Sequence, residues 1–531
     1  MELSQKTKEL VEQYKVWYRE LEPKEAQGTI GVDEVASKVA SFYEKIRGVV
    51  DWREEHLLRK TAIDRIFRRR ILLAERPGEM AEPFLQELIR GGHFPNNRIP
   101  TQKIEEVQRI INKLVAIIEN SKHYLEGNQQ GRLENWLLAL GSCEIEELLA
   151  PPTREKALID WMAEDMEERI QIRRKDADRV TEEDRVFLIY VGVHRSLYKL
   201  DDPTIALHLL ERFYPNWKSV DSSALASIAQ TIQGTKEKIE SLLKHPLAEK
   251  FYQIIENYDT PYLLVGDILT KDPTGFENLV STPESFETAI REAYNKRLLR
   301  LKKRMRKAAF FSTLSVFLSK VLIALALEVP FDQYLNHGVN YSAIGWSITI
   351  PPLFLLALVM SVKSSSEENL QRVLLEIAKI TLENERKNIK EVSLPKKRKG
   401  FLAFFVVTVY LLTFVVTFGG IAWLLGKVGF SFLSMAVFLL FLSLVAYGGT
   451  RIRHRSRELM VGEQSQGFLF EVFDFFFLPV IQTGKWFSGQ LVRYNILSIL
   501  LNVLIEAPFQ IFIEFLEQLR TFWKEKREEI H

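Results

Sequence analysis

Residues 284–328 read ESFETAIREAYNKRLLRLKKRMRKAAFFSTLSVFLSKVLIALALE, and the order of polarity along them decides the fold. Thr282 and Pro283 stand just before, a capping hydroxyl and a ring whose fixed φ suits a first helical turn. From there to Glu328 no Gly or Pro occurs, while charged residues give way to a polybasic stretch and then to an apolar one. One helix of about 45 residues, roughly 68 Å long, is therefore expected to run from a water-soluble domain straight into a bilayer. Its membrane part would be 308–327. Three further apolar runs follow at 342–362, 401–425 and 430–447, and the last two carry no charged side chain. Crossing a hydrocarbon layer of roughly 30 Å takes about 20 residues, and four runs of that length in one region point to hydrocarbon rather than to a soluble core.

Charge sets the expected orientation. Lys296, Arg297, Arg300, Lys302, Lys303, Arg304, Arg306 and Lys307 precede the first run with no acid among them. The connection 328–341 has no Lys or Arg, and the next one ends in Lys396, Lys397, Arg398 and Lys399. A tight Gly426-Lys427-Val428-Gly429 turn joins the third and fourth runs, and Arg451, Arg453, Arg455 and Arg457 follow the fourth. Since Lys and Arg accumulate on the cytoplasmic side, this alternation gives four spans in a plasma (inner) membrane with the N-terminus cytoplasmic. The clusters at 296–307 and 396–399 are the expected contacts with anionic lipid headgroups.

The region 467–531 reads differently. Its first part, FLFEVFDFFFL at 468–478, is short, contains Glu471 and Asp474, and is expected to stop at Pro479. Beyond it Asn495, Ser498, Asn502, Glu506, Gln510, Glu514 and Glu517 recur at a mean step of about 3.67, one narrow polar stripe on an otherwise apolar helix. An interfacial or re-entrant amphipathic region fits that pattern, and the alternative is a fifth spanning helix whose stripe faces the bundle.

The part before the spans has the opposite character. Residues 1–295 carry a net charge of −10 and the rest +12, although the whole chain is only +2. Apolar residues recur at helical steps in Val35, Val39, Phe42, Ile46 and Val49, and again in Ile104, Val107, Ile111, Leu114 and Ile118. Thr181 before Glu182, and Asp202 before Pro203, read as helix starts. Sustained period-two runs are missing, which argues against a substantial sheet. The expected fold is all-α: a cytoplasmic helical domain, divisible near Pro151, followed by the bundle. Between the second and third spans, Ser366 opens a further helix whose apolar face is Leu370, Val373, Leu374, Ile377 and Ile380. It should pack on the long helix, on the soluble domain or on its own loop.

Chemical signatures are sparse. A single cysteine, Cys143, excludes an intramolecular disulfide and any multi-cysteine metal site. The N-terminus MELSQKTKEL lacks the apolar core of a signal peptide, so the first part is expected to stay where it is made. Phosphate-binding glycine loops, zinc-protease and nucleophile-elbow motifs do not occur, so neither a cofactor nor an enzymatic activity is implied. His93 and His194 are the most site-like histidines. A histidine among charges such as His194, beside Arg195, Asp201 and Asp202, normally sits solvated. RKTAIDRIFRRR at 59–70 is basic, but within an acidic domain a solvated or ion-paired face is expected rather than nucleic-acid binding. Lys320 stands out, about 18 Å into the first span. It needs a buried partner, for which Glu506 on the stripe with Asn502 and Gln510 is the candidate, or it reaches for the far interface.

Residues 41–73 (SFYEKIRGVVDWREEHLLRKTAIDRIFRRRILL) and the pattern FLPVIQTGKW, then EAPFQIF, near the C-terminus resemble an uncharacterised group of bacterial polytopic membrane proteins. That resemblance implies no activity and transfers no site. The functional expectation is a non-enzymatic scaffold whose helical domain engages a cytoplasmic protein partner at the bilayer. The alternative is a transporter or channel component using Lys320 and the stripe around Glu506, with a homo-oligomer as one way to assemble a pore.

Overall fold

The computed structural model describes residues 2–20, 28–32, 55–73, 77–125, 127–173, 180–335, 338–360, 367–382, 389–392, 400–455, 459–461 and 468–493. Helices dominate. The one sheet among these residues is a pair of three-residue parallel strands, β1 (Ile170–Ile172) and β2 (Lys390–Val392), with Ile170 opposite Lys390.

The N-terminal domain is an assembly of amphipathic helices. Gln102–Ser121 buries Val107, Ile110, Ile111, Leu114, Ile117 and Ile118 at steps of three and four, while Glu105 and Asn112 face water. Local signals fix the helix starts. Thr181 Oγ1 accepts the Asp184 N–H at 3.1 Å, and Asp201, one residue earlier than expected, caps Asp202–Phe213 by accepting from Thr204. A single hydrophobic cluster includes Leu133, Leu137 and Leu140 before Pro151 and Leu158, Trp161 and Met162 after it.

From Pro283 the chain runs as an α-helix to Ile323, a π turn over Ala324–Glu328, and a further α-helical segment Val329–Leu335. In the π turn the Val329 N–H reaches the carbonyl of Ala324, five residues back. Pro330 lies immediately beyond, and a missing N–H with a bulky ring is the kind of defect a widened turn absorbs. Four helices are long and apolar enough to cross a membrane: Pro283–Tyr334, Tyr341–Met360, Phe404–Lys427 and Phe432–Arg453. Protein covers only 6% of the apolar window of the third and 44% of that of the fourth. Surfaces this greasy and this bare need a nonpolar solvent, so the chain is a membrane protein.

The helix Glu367–Thr381, between the second and third spans, belongs to the N-terminal domain. Leu370, Val373, Ile377 and Ile380 are buried in the same hydrophobic cluster as Leu10 and Tyr262. Around it the backbone is stitched across large sequence distances. Ser4 N–H donates to Thr381 O at 2.9 Å, Leu3 bridges Leu382, and Arg173 N–H continues the β1–β2 ladder onto Val392 O at 2.9 Å. The segment after the fourth span is tied in as well. The buried Asn369 side chain donates to Tyr294 Oη at 3.0 Å and to Leu459 O at 2.7 Å, and accepts from Val461 N–H at 2.9 Å. The domain is thus completed by two segments that the chain reaches only after passing through spans, and all three lie on one side of the bundle.

The last described helix, Phe468–Arg493, corrects the expectation of a stop at Pro479, which lies inside it. Close to that proline, the carbonyl of Phe476 accepts from the Thr417 hydroxyl of the third span at 2.9 Å, which ties the two helices together. Val480 is fully buried in the bundle core with Phe438 and Leu442. At Gly484 a Cβ would lie 1.9 Å from Ser443 O, so only glycine allows this approach to the fourth span.

Candidate functional site

Lys320 lies in the last turn of the α-helical part of the first span and is wholly buried. Its ammonium pairs with the carboxylate of Glu328, also 0% exposed. Glu328 in turn accepts from Ser347 Oγ of the second span at 3.3 Å, and the Phe441 ring of the fourth span lies 5.4 Å from Lys320 Nζ. Three spans therefore close around one intrahelical ion pair. In a regular α-helix positions eight apart point about 80° away from each other. The π turn between them takes up about one extra residue, so Glu328 comes round to the face of Lys320. Glu328 was expected to begin the polar connection after the span. The structure instead continues the helix to Leu335 and buries that acid. Glu506, Asn502 and Gln510 lie outside the described residues.

The polybasic stretch divides in two. Arg297 turns toward the domain, its Nη2 2.9 Å from Asp267 Oδ1. Lys296, Arg300, Lys303, Arg304, Arg306 and Lys307 are exposed, and Lys302 is half-buried. Lys396, Lys397, Arg398 and Lys399 lie outside the described residues.

In the N-terminal domain the expectation of a solvated His194 is overturned, because it is 0% exposed. Its Nδ1 is 2.8 Å from the Tyr190 carbonyl, which can only accept, so that nitrogen holds a hydrogen. His194 Nε2 must then accept from His208 Nδ1, 2.7 Å away. The other ring nitrogen of His208 meets the Glu147 carboxylate. Lys156 lies 2.6 Å from the second oxygen of Glu147. Burial pushes the Glu147 carboxyl up, but the bonds and charges of His208 and Lys156 outweigh it and hold it at about 2. Burial, helped by the charge of His208, holds His194 well below the usual imidazole range. Sequence spacing could not show this relay, since Glu147 and His208 are joined only by tertiary packing.

Glu147 and Lys156 also line a cleft of about 1390 Å³. Beside them Lys113 Nζ is 2.6 Å from Glu144 Oε1 and 4.4 Å from the centroid of the Trp217 ring, while Trp217 Nε1 donates to Glu144 Oε2 at 3.0 Å. Burial lowers the pKa of Lys113 and raises that of Glu144, with their mutual attraction opposing both shifts. Each inner cation in the cleft is matched by a carboxylate, an arrangement that holds helices together more readily than it activates a nucleophile. Cys143 is buried, and its thiol is pushed up to about 12 by burial, so it carries no thiolate. His93 is half-buried, and among the described residues no group of three His, Cys, Asp or Glu could hold a metal ion. The basic helix at 59–70 is ion-paired, Arg59 with Glu146 at 2.9 Å and Arg70 with Glu87 at 2.6 Å. No family model, curated protein or solved structure matches the chain.

Proposed function

We propose that this chain is a non-enzymatic scaffold of the inner membrane, holding a helical domain at the cytoplasmic face for a protein partner. The observation that carries the reading is the threefold closure of the N-terminal domain. The long helix enters the first span, Glu367–Thr381 returns from the second, and residues 459–461 return from the fourth, all meeting around Asn369. A domain tied at three places cannot swing on a tether, and rigid presentation is what a scaffold needs. The alternation of Lys and Arg along the chain supports the cytoplasmic side.

A transporter or channel component is the second reading, favoured by one observation: the ion pair of Lys320 and Glu328 inside the bundle. Flux separates the two. The full chain in proteoliposomes is expected to move ions and small solutes no faster than protein-free vesicles. Flux above that background, abolished by Lys320→Leu in protein that still purifies as a folded species, would overturn the scaffold.

A further inference from the structure

The long helix carries a face whose composition changes at one level from cationic to apolar. On a helix of 3.6 residues per turn, Lys296, Arg300, Lys303, Arg304 and Lys307 fall within an arc of about 100°. Alongside them Tyr294, Leu301 and Ala308 are buried, on a side about 90–130° round from the centre of that arc. That burial and the pairing of Arg297 with Asp267 fix the rotation of the helix: Arg297 lies at the edge of the arc, about 20° from Arg304, and the five cations beside it are exposed. Among the described residues no acid forms an ion pair with any of these five cations, and all five are exposed.

The arc does not end at the bilayer. Phe311, Leu314 and Leu318 continue it at steps of four, three and four from Lys307, within the same angular range, and all three are exposed. One face therefore offers charge over the headgroup layer and hydrocarbon directly beneath. Lys303 to Lys307 spans about 6 Å along the axis, close to the depth of one headgroup layer.

We propose that this face binds an anionic glycerophospholipid lengthwise, with its phosphate among Lys303, Arg304 and Lys307 and an acyl chain along Phe311, Leu314 and Leu318. Arg300 and Lys296 stand above and favour headgroups that carry charge farther from the bilayer. Lys302 and Arg306 point off the arc and serve only as general positive charge. The inference rests on the reading of the chain as a membrane protein. A chain that failed to enter a bilayer would sink that reading, whereas a chain that entered but chose no lipid would sink this one alone.

The test places a photoreactive benzoylphenylalanine at position 311 of the full chain, in nanodiscs of phosphatidylcholine with a minor fraction of phosphatidylglycerol. Mass spectrometry of the captured lipid gives the local composition. Each basic residue at the surface favours an anionic lipid by about fivefold, so three together set an upper limit of about a hundredfold enrichment over the bulk ratio. Lys303→Gln/Arg304→Gln/Lys307→Gln is expected to bring capture back to the bulk ratio, and Lys302→Gln/Arg306→Gln to leave the enrichment intact. Inorganic phosphate added in excess of the lipid should not compete, because it lacks the acyl chain. Capture at the bulk ratio in the parent protein would overturn the site. So would an equal loss in the two variants, or displacement by free phosphate.

Discussion

Replacing Lys320 and Glu328 by leucine, singly and together, tests whether their pair is sealed from water. Both side chains are 0% exposed. Lys320→Leu leaves the Glu328 carboxylate with Ser347 Oγ at 3.3 Å, and Glu328→Leu leaves the ammonium facing the Phe441 ring. Removing one member of a buried pair costs about 3–5 kcal/mol. A second argument limits that cost, because the orphan can neutralise itself. At pH 7 protonating an ordinary glutamate costs about 4 kcal/mol and deprotonating an ordinary lysine about 5 kcal/mol. Each single variant should therefore lose about 3–5 kcal/mol. The double variant should be within about 1 kcal/mol of the parent or more stable, since two leucines in place of a desolvated pair are neutral to favourable. The coupling energy would then reach roughly 5 kcal/mol or more, above the 0.5–3 kcal/mol usual for neighbours. Reversible unfolding of the full chain in detergent micelles measures all four corners of the cycle. Single variants within about 1 kcal/mol of the parent, or losses that simply add, would show that these charges reach water and would refute the sealed pair.

Four further outcomes are expected. Asn369→Ala should lower stability by about 2–6 kcal/mol, because the buried groups Leu459 O and Val461 N–H lose their partner at about 1–3 kcal/mol each, and proteolysis near 459–461 should quicken. A fragment ending at residue 305 should bind a hydrophobic dye and lack a cooperative melt, and a peptide of residues 367–392 added in trans should restore one. Five of the side chains it returns, Leu370, Val373, Ile377, Ile380 and Val392, are worth about 1.5–3 kcal/mol each when buried, comparable to the stability of a whole domain. Gly484→Ala should lower the melting temperature because its Cβ would meet Ser443 O at 1.9 Å, whereas Gly489→Ala, with nothing within 4 Å, should not. Burial raises the Asp259 carboxyl to about 7, so the folded state holds a proton there that the unfolded state releases near pH 4. Its contribution to stability is present below about pH 4 and is lost as pH rises to about 7. Asp259→Asn should flatten that decline in a series of melts from pH 4 to 8.

The spans were legible because hydrocarbon imposes a length and a composition that survive in sequence: each of the four expected runs overlaps one of the four helices apolar enough to cross a membrane. The apolar face of Glu367–Thr381 was equally plain, since Leu370, Val373 and Ile377 recur at helical steps. Its partner was not, because an amphipathic face says that something covers it and never what. Glu328 escaped for a different reason. An α-helical period does not bring positions eight apart together, and nothing in the residues announces a π turn except Pro330 just beyond. His194 was misread because its neighbours in sequence are charged, whereas its neighbours in space are Tyr190, His208 and, through His208, Glu147. Histidine burial depends on such long-range pairing, which one chain read in order does not display.

The closure of the N-terminal domain by Glu367–Thr381 and β2 imposes an order on biosynthesis. At about 5–20 residues per second, the ribosome needs on the order of 5–20 s to pass from the end of the domain's continuous part to residue 392. During that interval the first two spans must leave the translocation machinery, while the seat for Val373 and Ile377 stands open to the aqueous phase. Membrane insertion thus becomes a checkpoint for maturation of the water-soluble part, and a chain that stalls between its first two spans would carry a nascent greasy surface for chaperones and proteases to recognise.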